Sequence, residues 1–382
     1  MSLQVGIVGK PSSGKSSFYS AATLADAPVS PRPFTTIKPN VAMGYVSYPC
    51  PHVELKIKCN AANSKCEGGI RLIPITVTDV AGLVPGAHKG KGMGNQFLGD
   101  LIGASGLIHV VDMSGNTDSG GNTTSGYDPE KDIEFLEEEI DHWLAGILER
   151  NWKQIERKQD SGTELYKLVF NQYSGLGITE DAVKSIVEKG YSDPLDLARK
   201  VRKENKPIVL AGNKIDLSSS VENHKRLSKK YDIIPVSAVA ELTLRKAAKN
   251  GLINYVPGYS SFEVLKKLSP EQESALDYIK TNVLEKYGST GVQTTIDKLV
   301  FKELEYMPVY PVEDENKFAD SHGAVLPHVY LLKKGSTALD LAGKVHADIA
   351  KGFIGAIDAK TKKKIGREHQ LKANDIVKIS SR

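Results

Sequence analysis

Eight residues near the amino terminus, Gly9-Lys10-Pro11-Ser12-Ser13-Gly14-Lys15-Ser16, have the types and spacing to hold a chain of phosphates. They follow the apolar run Val5 to Val8 and precede a helix-like segment from Ser17. That is the strand, turn and helix-start context that G-x-x-x-x-G-K-[ST] requires. The glycines let the backbone approach a phosphate and curl its N–H groups inward, and the helix start adds partial positive charge. The nucleotide-binding set is Gly9, Pro11, Ser12, Ser13, Gly14, Lys15, Ser16 and Ser17. In this set Lys15 reaches the outer phosphates and Ser16 offers a hydroxyl to Mg²⁺.

Two further clusters extend this chemistry. Asp79-Val80-Ala81-Gly82 is D-x-x-G at the end of the apolar run Leu72 to Thr78, and strand ends are where ligands bind in open α/β sheets. Asp79 is expected to hold Mg²⁺ through a water, and the Gly82 amide to meet the γ-phosphate. Asn213-Lys214-Ile215-Asp216 closes the apolar run Pro207 to Gly212. Guanine presents a donor pair that one carboxylate, Asp216, can accept, whereas adenine has no such pair. Asn213 can bridge loop and base, the Lys214 stem can lie across the purine, and the backbone of Ser237-Ala238 can meet guanine O6. Between these motifs, Ala27 to Asn40 is rich in Pro, Ser and Thr. It reads either as a plain connection or as a loop that brings Thr35 or Thr36 to the metal and the terminal phosphate. Leu83 stands where many GTP hydrolases carry a glutamine, and a leucine side chain cannot orient water. His88 is the nearest titratable substitute, unless it is merely solvated.

The three cysteines, Cys50, Cys59 and Cys66, lie with His52 in one short stretch. A metal site has to be weighed, but the spacing is looser than paired C-x-x-C, which favours ordinary thiols.

These residues need a sheet to bring them together. At 382 residues the chain suggests two or three domains. Its 40% hydrophobic and 25% charged residues are those of an ordinary soluble protein. No apolar run is long enough to span a membrane, and the first strand leaves no room for a signal peptide, so a cytoplasmic monomer is expected. Strands are expected at Val5 to Val8, Val41 to Tyr48, Val53 to Cys59, Leu72 to Thr78, Gly106 to Met113, Pro207 to Gly212 and Ile233 to Val236. They make an α/β domain with a mostly parallel sheet and helices on both faces. Ser114 to Gly126 is polar and of low complexity, and reads as a mobile loop without chemistry. Asp128-Pro129 opens a helix, and Ile133, Leu136, Ile140, Trp143, Leu144, Ile147 and Leu148 recur at helical spacing toward Lys158. With helices from Thr179 and Asp193-Pro194, this forms an inserted module whose apolar stripe is its internal seam. Helical character returns from Ala240 and from Ser269 to about Leu304. Two strands, a helix and further strands then suggest a small β-grasp module. The expected segments are 1–115 and 206–304 for the nucleotide domain, 116–205 for the insert and 305–382 for the last module.

The final stretch is basic. From His328 onward there are twelve Lys or Arg against five acids, while the whole chain is only +4. Such a module on a near-neutral carrier suits an RNA backbone, the alternative being a solvated surface.

With these motifs together the chain resembles the translation-factor GTPases, and more narrowly the Obg family in its YchF-related, archaeal-type branch. The resemblance rests on Pro33-Phe34-Thr35-Thr36-Ile37-Lys38-Pro39-Asn40, on Asp79 to Ala87, on Gly90 to Leu98 and on Gly335-Ser336-Thr337-Ala338-Leu339-Asp340-Leu341-Ala342. It implies that Thr36 is the switch threonine on Mg²⁺, that Leu83 is the family's hydrophobic replacement for glutamine, and that the last module is a TGS domain. The YchF-type members associated with ATP have an altered base motif. Asn213 to Asp216 is unaltered here, so GTP is favoured. The asparagine linked in the family to potassium-stimulated hydrolysis is Ser12 in this chain, which leaves potassium dependence open.

The expected activity is Mg²⁺-assisted hydrolysis of GTP to GDP by a slow switch acting on ribosome or RNA. Lys15, Thr36 and Gly82 are the catalytic set, and Ser16, Thr36 and Asp79 the metal set. The alternatives are an ATP-preferring ATPase and an RNA-binding module in which nucleotide is only a structural ligand.

Overall fold

A computed structural model describes residues 3–23, 40–80 and 103–382. The chain divides into two compact units, one of residues 1–44 and 75–299 and one of residues 45–74 and 300–382. Residues 45–74, expected in the first nucleotide-domain segment, thus cluster with the carboxyl-terminal part. Two of the divisions fall within long strands.

The strands of the first sheet are β1 (Gln4–Val8), β2 (Asn40–Pro49), β3 (Lys65–Glu67), β4 (Ile70–Asp79), β5 (Gly106–Asp112), β6 (Ile208–Asn213) and β7 (Ile233–Pro235). Their order is β2-β4-β1-β5-β6-β7, with β3 on β4. From β4 to β7 every neighbouring pair is parallel. Strands covered on both faces read as unbroken apolar runs. In β5 all seven residues are buried, His109 among them. The register sets Ile7 beside Asp79, Val8 beside His109, and Asp112 beside Asn213. One edge of the sheet therefore collects the carboxyl ends that the motifs occupy.

Helix α1 (Lys15–Thr23) leaves the loop after β1. The insert is α2 (Glu130–Glu149), α3 (Trp152–Asp160), α4 (Leu165–Gln172), α5 (Glu180–Lys189) and α6 (Pro194–Asn205). The single helix expected toward Lys158 breaks at Arg150 and Asn151, where the Asn151 amide bonds the Leu148 carbonyl in a tightened turn. The helix at Leu165–Gln172 lacks the side-chain cap that marks α5 and α6, which start on Thr179 and Asp193. Leu136, Ile140, Leu144 and Leu148 pack with Leu197, Ala198 and Val201, so the stripe is an internal seam. The buried Arg202 pairs there with Asp141 at 2.5 Å and Glu137 at 2.8 Å. Helices α7 (Ser218–Leu227), α8 (Ala238–Lys249) and α9 (Pro270–Ile279) follow.

In the second unit β8 (Tyr306–Val312), β9 (Tyr330–Lys333), β10 (Phe353–Asp358), β11 (Lys364–Ile365) and β12 (Ile376–Ser381) form a sheet of order β9-β8-β12-β10-β11. The β8/β12 pair is parallel and the others antiparallel. Helix α10 (Ala338–Val345) opens with a capping box between Thr337 and Asp340 and buries Ala338 and Leu341 against Met307, Val309 and Val377. This is the expected β-grasp arrangement. Residues Val53 to Cys59 are not a strand: Pro51 starts one helical turn, Pro51–Leu55, which the left-handed Lys56 (φ 55°) ends. Proline pre-sets φ for a first helical position, which outweighs the β-branched residues that follow. The irregular chain beyond it is held by backbone bonds from Asn60 and Ala62 to the Val325 and Pro327 carbonyls, each 2.8 Å. No helix among the described residues is long and apolar enough to cross a membrane.

Candidate functional site

The phosphate loop is built from the end of β1 outward. Gly9 has φ 154°, and a Cβ there would meet the Val110 carbonyl at 2.5 Å. Gly14 is left-handed (φ 90°), and a Cβ would stand 2.1 Å from Asn213 Nδ2. Only glycine fits either place. Ser12 is also left-handed (φ 63°), a conformation that costs a serine more than the asparagine of the family pattern. Lys15 starts α1 and is buried, with its ammonium 2.6 Å from Asp79 Oδ1. The other carboxylate oxygen, Asp79 Oδ2, is buried and has no hydrogen bond among the described residues, and the same holds for Ser13 Oγ. Buried oxygens are rarely left so. An acid with one oxygen on Lys15 and the other unpaired among the described residues, together with a half-buried Ser16 next to Lys15 in sequence at the helix start, fits a water-bridged cation.

The base motif is tied into this loop. Asn213 Nδ2 donates to the Ser13 carbonyl at 2.9 Å, and Asn213 Oδ1 accepts from the Ala238 amide at 3.1 Å. One buried side chain thus staples the phosphate loop to the start of α8, where Ser237 caps by accepting from the Ala240 amide. The Ala238 N–H, expected at guanine O6, is the donor of that second bond. Lys214, left-handed at φ 65°, donates to the Ser12 carbonyl at 3.0 Å and to Asp112 Oδ2 at 2.8 Å. Its stem is held by those two bonds. Asp216 is half-buried. Its backbone carbonyl accepts from Tyr278 at 3.0 Å, and its carboxylate has no hydrogen bond among the described residues.

Sequence reasoning missed Asp112. It ends β5 fully buried and accepts from the Ser114 amide at 3.0 Å, the Ser114 hydroxyl at 2.6 Å and the Thr117 hydroxyl at 2.7 Å as well as from Lys214. Burial alone would raise its pKa, but the bonds from Lys214, Ser114 and Thr117 outweigh that and hold it below the usual carboxylate value. The stretch 114–126, expected to be mobile, is an ordered loop packed on the phosphate loop. Lys10 donates to the Thr117 carbonyl at 2.7 Å, pairs with Asp132 at 2.8 Å and lies 4.1 Å from the Tyr127 ring centre. The Ser12 hydroxyl donates to the Gly121 carbonyl at 3.0 Å. A hydroxyl two and five residues past a strand-end acid was the available signal. Thr35, Thr36, Gly82, Leu83 and His88 lie outside the described residues.

The unit of residues 45–74 and 300–382 carries eighteen Lys or Arg against thirteen acids, so the first unit is slightly acidic. Several of those cations are neutralised, as in Lys360–Glu54 and Lys378–Glu315. Lys363, Lys364 and Lys372 are exposed and have no ion pair among the described residues.

Three family models match the chain. One described as a 50S ribosome-binding GTPase covers residues 4–146. One described as the G4 motif-containing domain of the Obg-like GTPase YGR210-like group covers 211–314, and a TGS domain covers 321–381. The chain is 48% identical over 390 residues to the uncharacterized GTP-binding protein MJ1332 of Methanocaldococcus jannaschii, spanning 99% of this chain and 98% of that one. It is 36% identical over 376 residues to the uncharacterized GTP-binding protein C428.15 of Schizosaccharomyces pombe, with 92% of each covered. Among solved structures, a GTP binding protein from Pyrococcus horikoshii OT3 matches with TM-score 0.78 and 42% identity over 100% of both chains.

Proposed function

We propose that this chain, which belongs to the Obg-like GTPases in their YchF-related branch and carries their TGS domain, hydrolyses GTP to GDP and phosphate as a slow cytoplasmic switch that acts as a monomer on ribosome or RNA. One observation supports the guanine reading above the others. Asn213 is spent on joining phosphate loop to base loop, while the Asp216 carboxylate beside it keeps its hydrogen-bonding capacity. A carboxylate so placed selects a base with two adjacent donors.

Catalysis is then mainly positioning and charge neutralisation. Lys15, which meets Asp79 at 2.6 Å, would move to the outer phosphates, and the carboxylate of Asp79 would then be available to hold the cation. Ser16, Asp79 and Thr36 are the residues that would hold Mg²⁺, which offsets phosphate charge when bound. The loop amides and the Gly82 N–H take the γ-phosphate oxygens. Leu83 offers water no partner, so intrinsic turnover is slow and a bound partner accelerates it. The unpaired Lys363, Lys364 and Lys372 suit an RNA backbone.

Titration of the purified chain with GTP and with ATP, and turnover of each with and without ribosomes, test this. Preferential GTP binding and ribosome-stimulated hydrolysis are expected. Equal ATP affinity sinks the guanine reading. Absence of turnover in every condition leaves nucleotide as a structural ligand. Ribosome affinity should fall steeply with salt, and the double substitution Lys363→Glu, Lys364→Glu should make that dependence shallower by about 1 in log–log slope for each phosphate no longer neutralised.

A further inference from the structure

We propose that Cys50, His52, Cys59 and Cys66 form a closed, structural zinc site that fixes the irregular stretch of residues 50–66. Their four ligand atoms all lie within 4.8 Å of one another. His52 Nδ1 is 3.4 Å from Cys59 Sγ and 3.6 Å from Cys66 Sγ. A tetrahedral centre with Zn–S of about 2.3 Å and Zn–N of about 2.0–2.1 Å has N···S edges of about 3.6 Å. Hydrogen bonding accounts for the same arrangement only in part. A ring nitrogen carries either one proton or one lone pair, so Nδ1 serves only one of the two thiols with a full bond. A cation at the centre engages all four groups together.

Each ligand arrives on a different piece of backbone. Cys50 is buried at the end of β2, and its amide bonds the Gly69 carbonyl at 2.9 Å, which ties it to the β3/β4 hairpin. His52 lies in the helical turn after Pro51, Cys59 in the irregular segment anchored by Asn60 and Ala62, and Cys66 on β3. The hairpin closes through Gly68 and Gly69, both left-handed at φ 54° and 85°. That turn returns the chain toward Cys50 and offsets the loose spacing of the sequence.

A second observation comes from charge. Arg71 pairs in register with Cys66 across the hairpin, so both side chains leave the same face. It is fully buried, donates to the Leu326 carbonyl at 2.7 Å and to Ser64 at 3.2 Å, and leaves Nε without a partner among the described residues. No carboxylate pairs with it among the described residues. Buried charges are ordinarily paired. Three thiolates around Zn²⁺ leave one negative charge, which is the counter-charge that Arg71 otherwise lacks. Four protein ligands with no open position make the site structural, and thiolate-rich sets select zinc over Mg²⁺ or Ca²⁺.

The full-length chain purified without chelator should carry one zinc per molecule by elemental mass spectrometry. After reduction and stripping it should bind one Co²⁺ with the visible absorption of a tetrahedral thiolate centre, which added Zn²⁺ displaces. Cys59→Ser and Cys66→Ser, at half-exposed positions, should weaken Zn²⁺ binding at least about tenfold while GTP affinity stays as in the parent. His52→Cys should keep the metal and change the cobalt spectrum, which a merely packing role for His52 would not do. A chain without stoichiometric zinc whose reduced form gives no tetrahedral cobalt spectrum overturns the proposal. So does zinc binding that both serine variants leave intact.

Discussion

The nucleotide pocket and the Cys/His cluster solve the same problem in opposite ways. In the pocket, residues two hundred positions apart converge because parallel strands deliver their carboxyl ends to one edge, as when Asn213 reaches Ser13. In the cluster the four groups are close in sequence, yet little regular structure positions them, only one turn, one hairpin and backbone bonds from Asn60 and Ala62. Both leave buried polar atoms unpaired where a charged ligand fits: Asp79 Oδ2 and Ser13 Oγ in one, Arg71 Nε in the other. The difference teaches where each site's stability comes from. A scaffold that exists without its ligand holds the pocket, whereas the cluster depends on its ligand for its own shape.

Asp216→Ala should break that contrast most visibly. Two hydrogen bonds to a charged acceptor vanish, which costs about 3 kcal/mol, or roughly 10²-fold in GTP affinity. ATP affinity, measured in the same titration, should barely move. Zinc content should stay unchanged, because Asp216 lies outside the unit of residues 45–74 and 300–382 that carries the cluster. Loss of metal in Asp216→Ala would show that the two sites are not independent.

Asp112→Asn comes next. The amide keeps one acceptor oxygen, for Ser114 or for Thr117 but not for both, and loses the charge that holds Lys214. A drop of about tenfold in GTP affinity is expected, with the GTP-to-ATP ratio nearly kept because Asp216 is untouched. This residue also shows where sequence reading ran out. Gly9 to Ser16, Asp79 and Asn213 to Asp216 were legible because backbone chemistry demands those types at those spacings, and the β-grasp module because its capping box and strand pattern are local. Asp112 was not, since its role exists only once β5 lies beside β6. The closeness of the four Cys/His groups was not legible for a related reason: their spacing reflects a two-glycine hairpin and a proline-started turn rather than a C-x-x-C knuckle. Val53 to Cys59 was misread as a strand because β-branched content is a weaker determinant than Pro51.

A smaller effect separates the units by pH. His109 is buried in β5, and burial, with the Lys10 charge adding to it, lowers its pKa from 6.5 to about 3. The fold keeps it neutral while the unfolded chain protonates it. Its contribution is therefore complete above pH 6.5 and is lost as pH falls toward 3, at no more than about 1.4 kcal/mol per pH unit. Both tryptophans, Trp143 and Trp152, belong to the first unit, so their fluorescence in urea titrations follows that unit alone. His109→Gln should flatten the dependence of the midpoint between pH 7.5 and 5.5. An unchanged slope would mean that other groups carry it.

The finest test concerns the loop that packs on the phosphate site. Gly121 and Gly126 are both left-handed, at φ 82° and 72°. An alanine at either position carries the same backbone penalty, about 1 kcal/mol. Their surroundings differ. A Cβ on Gly121 would stand 2.7 Å from Pro11 Cβ and 2.9 Å from its carbonyl oxygen, whereas among the described residues nothing lies within 4 Å of one on Gly126. Gly121→Ala must therefore lift residues 118–122 from Pro11 and strain the bond from the Ser12 hydroxyl to the Gly121 carbonyl. Gly126→Ala leaves that contact alone. A larger loss of stability in Gly121→Ala than in Gly126→Ala, with a few-fold weaker GTP binding in Gly121→Ala only, would establish that the polar loop supports the phosphate loop rather than covering it passively. Equal GTP affinity in both would return the loop to the role of a simple connection, and the ordered contacts at Lys10, Ser12 and Thr117 would then serve the fold without tuning the site.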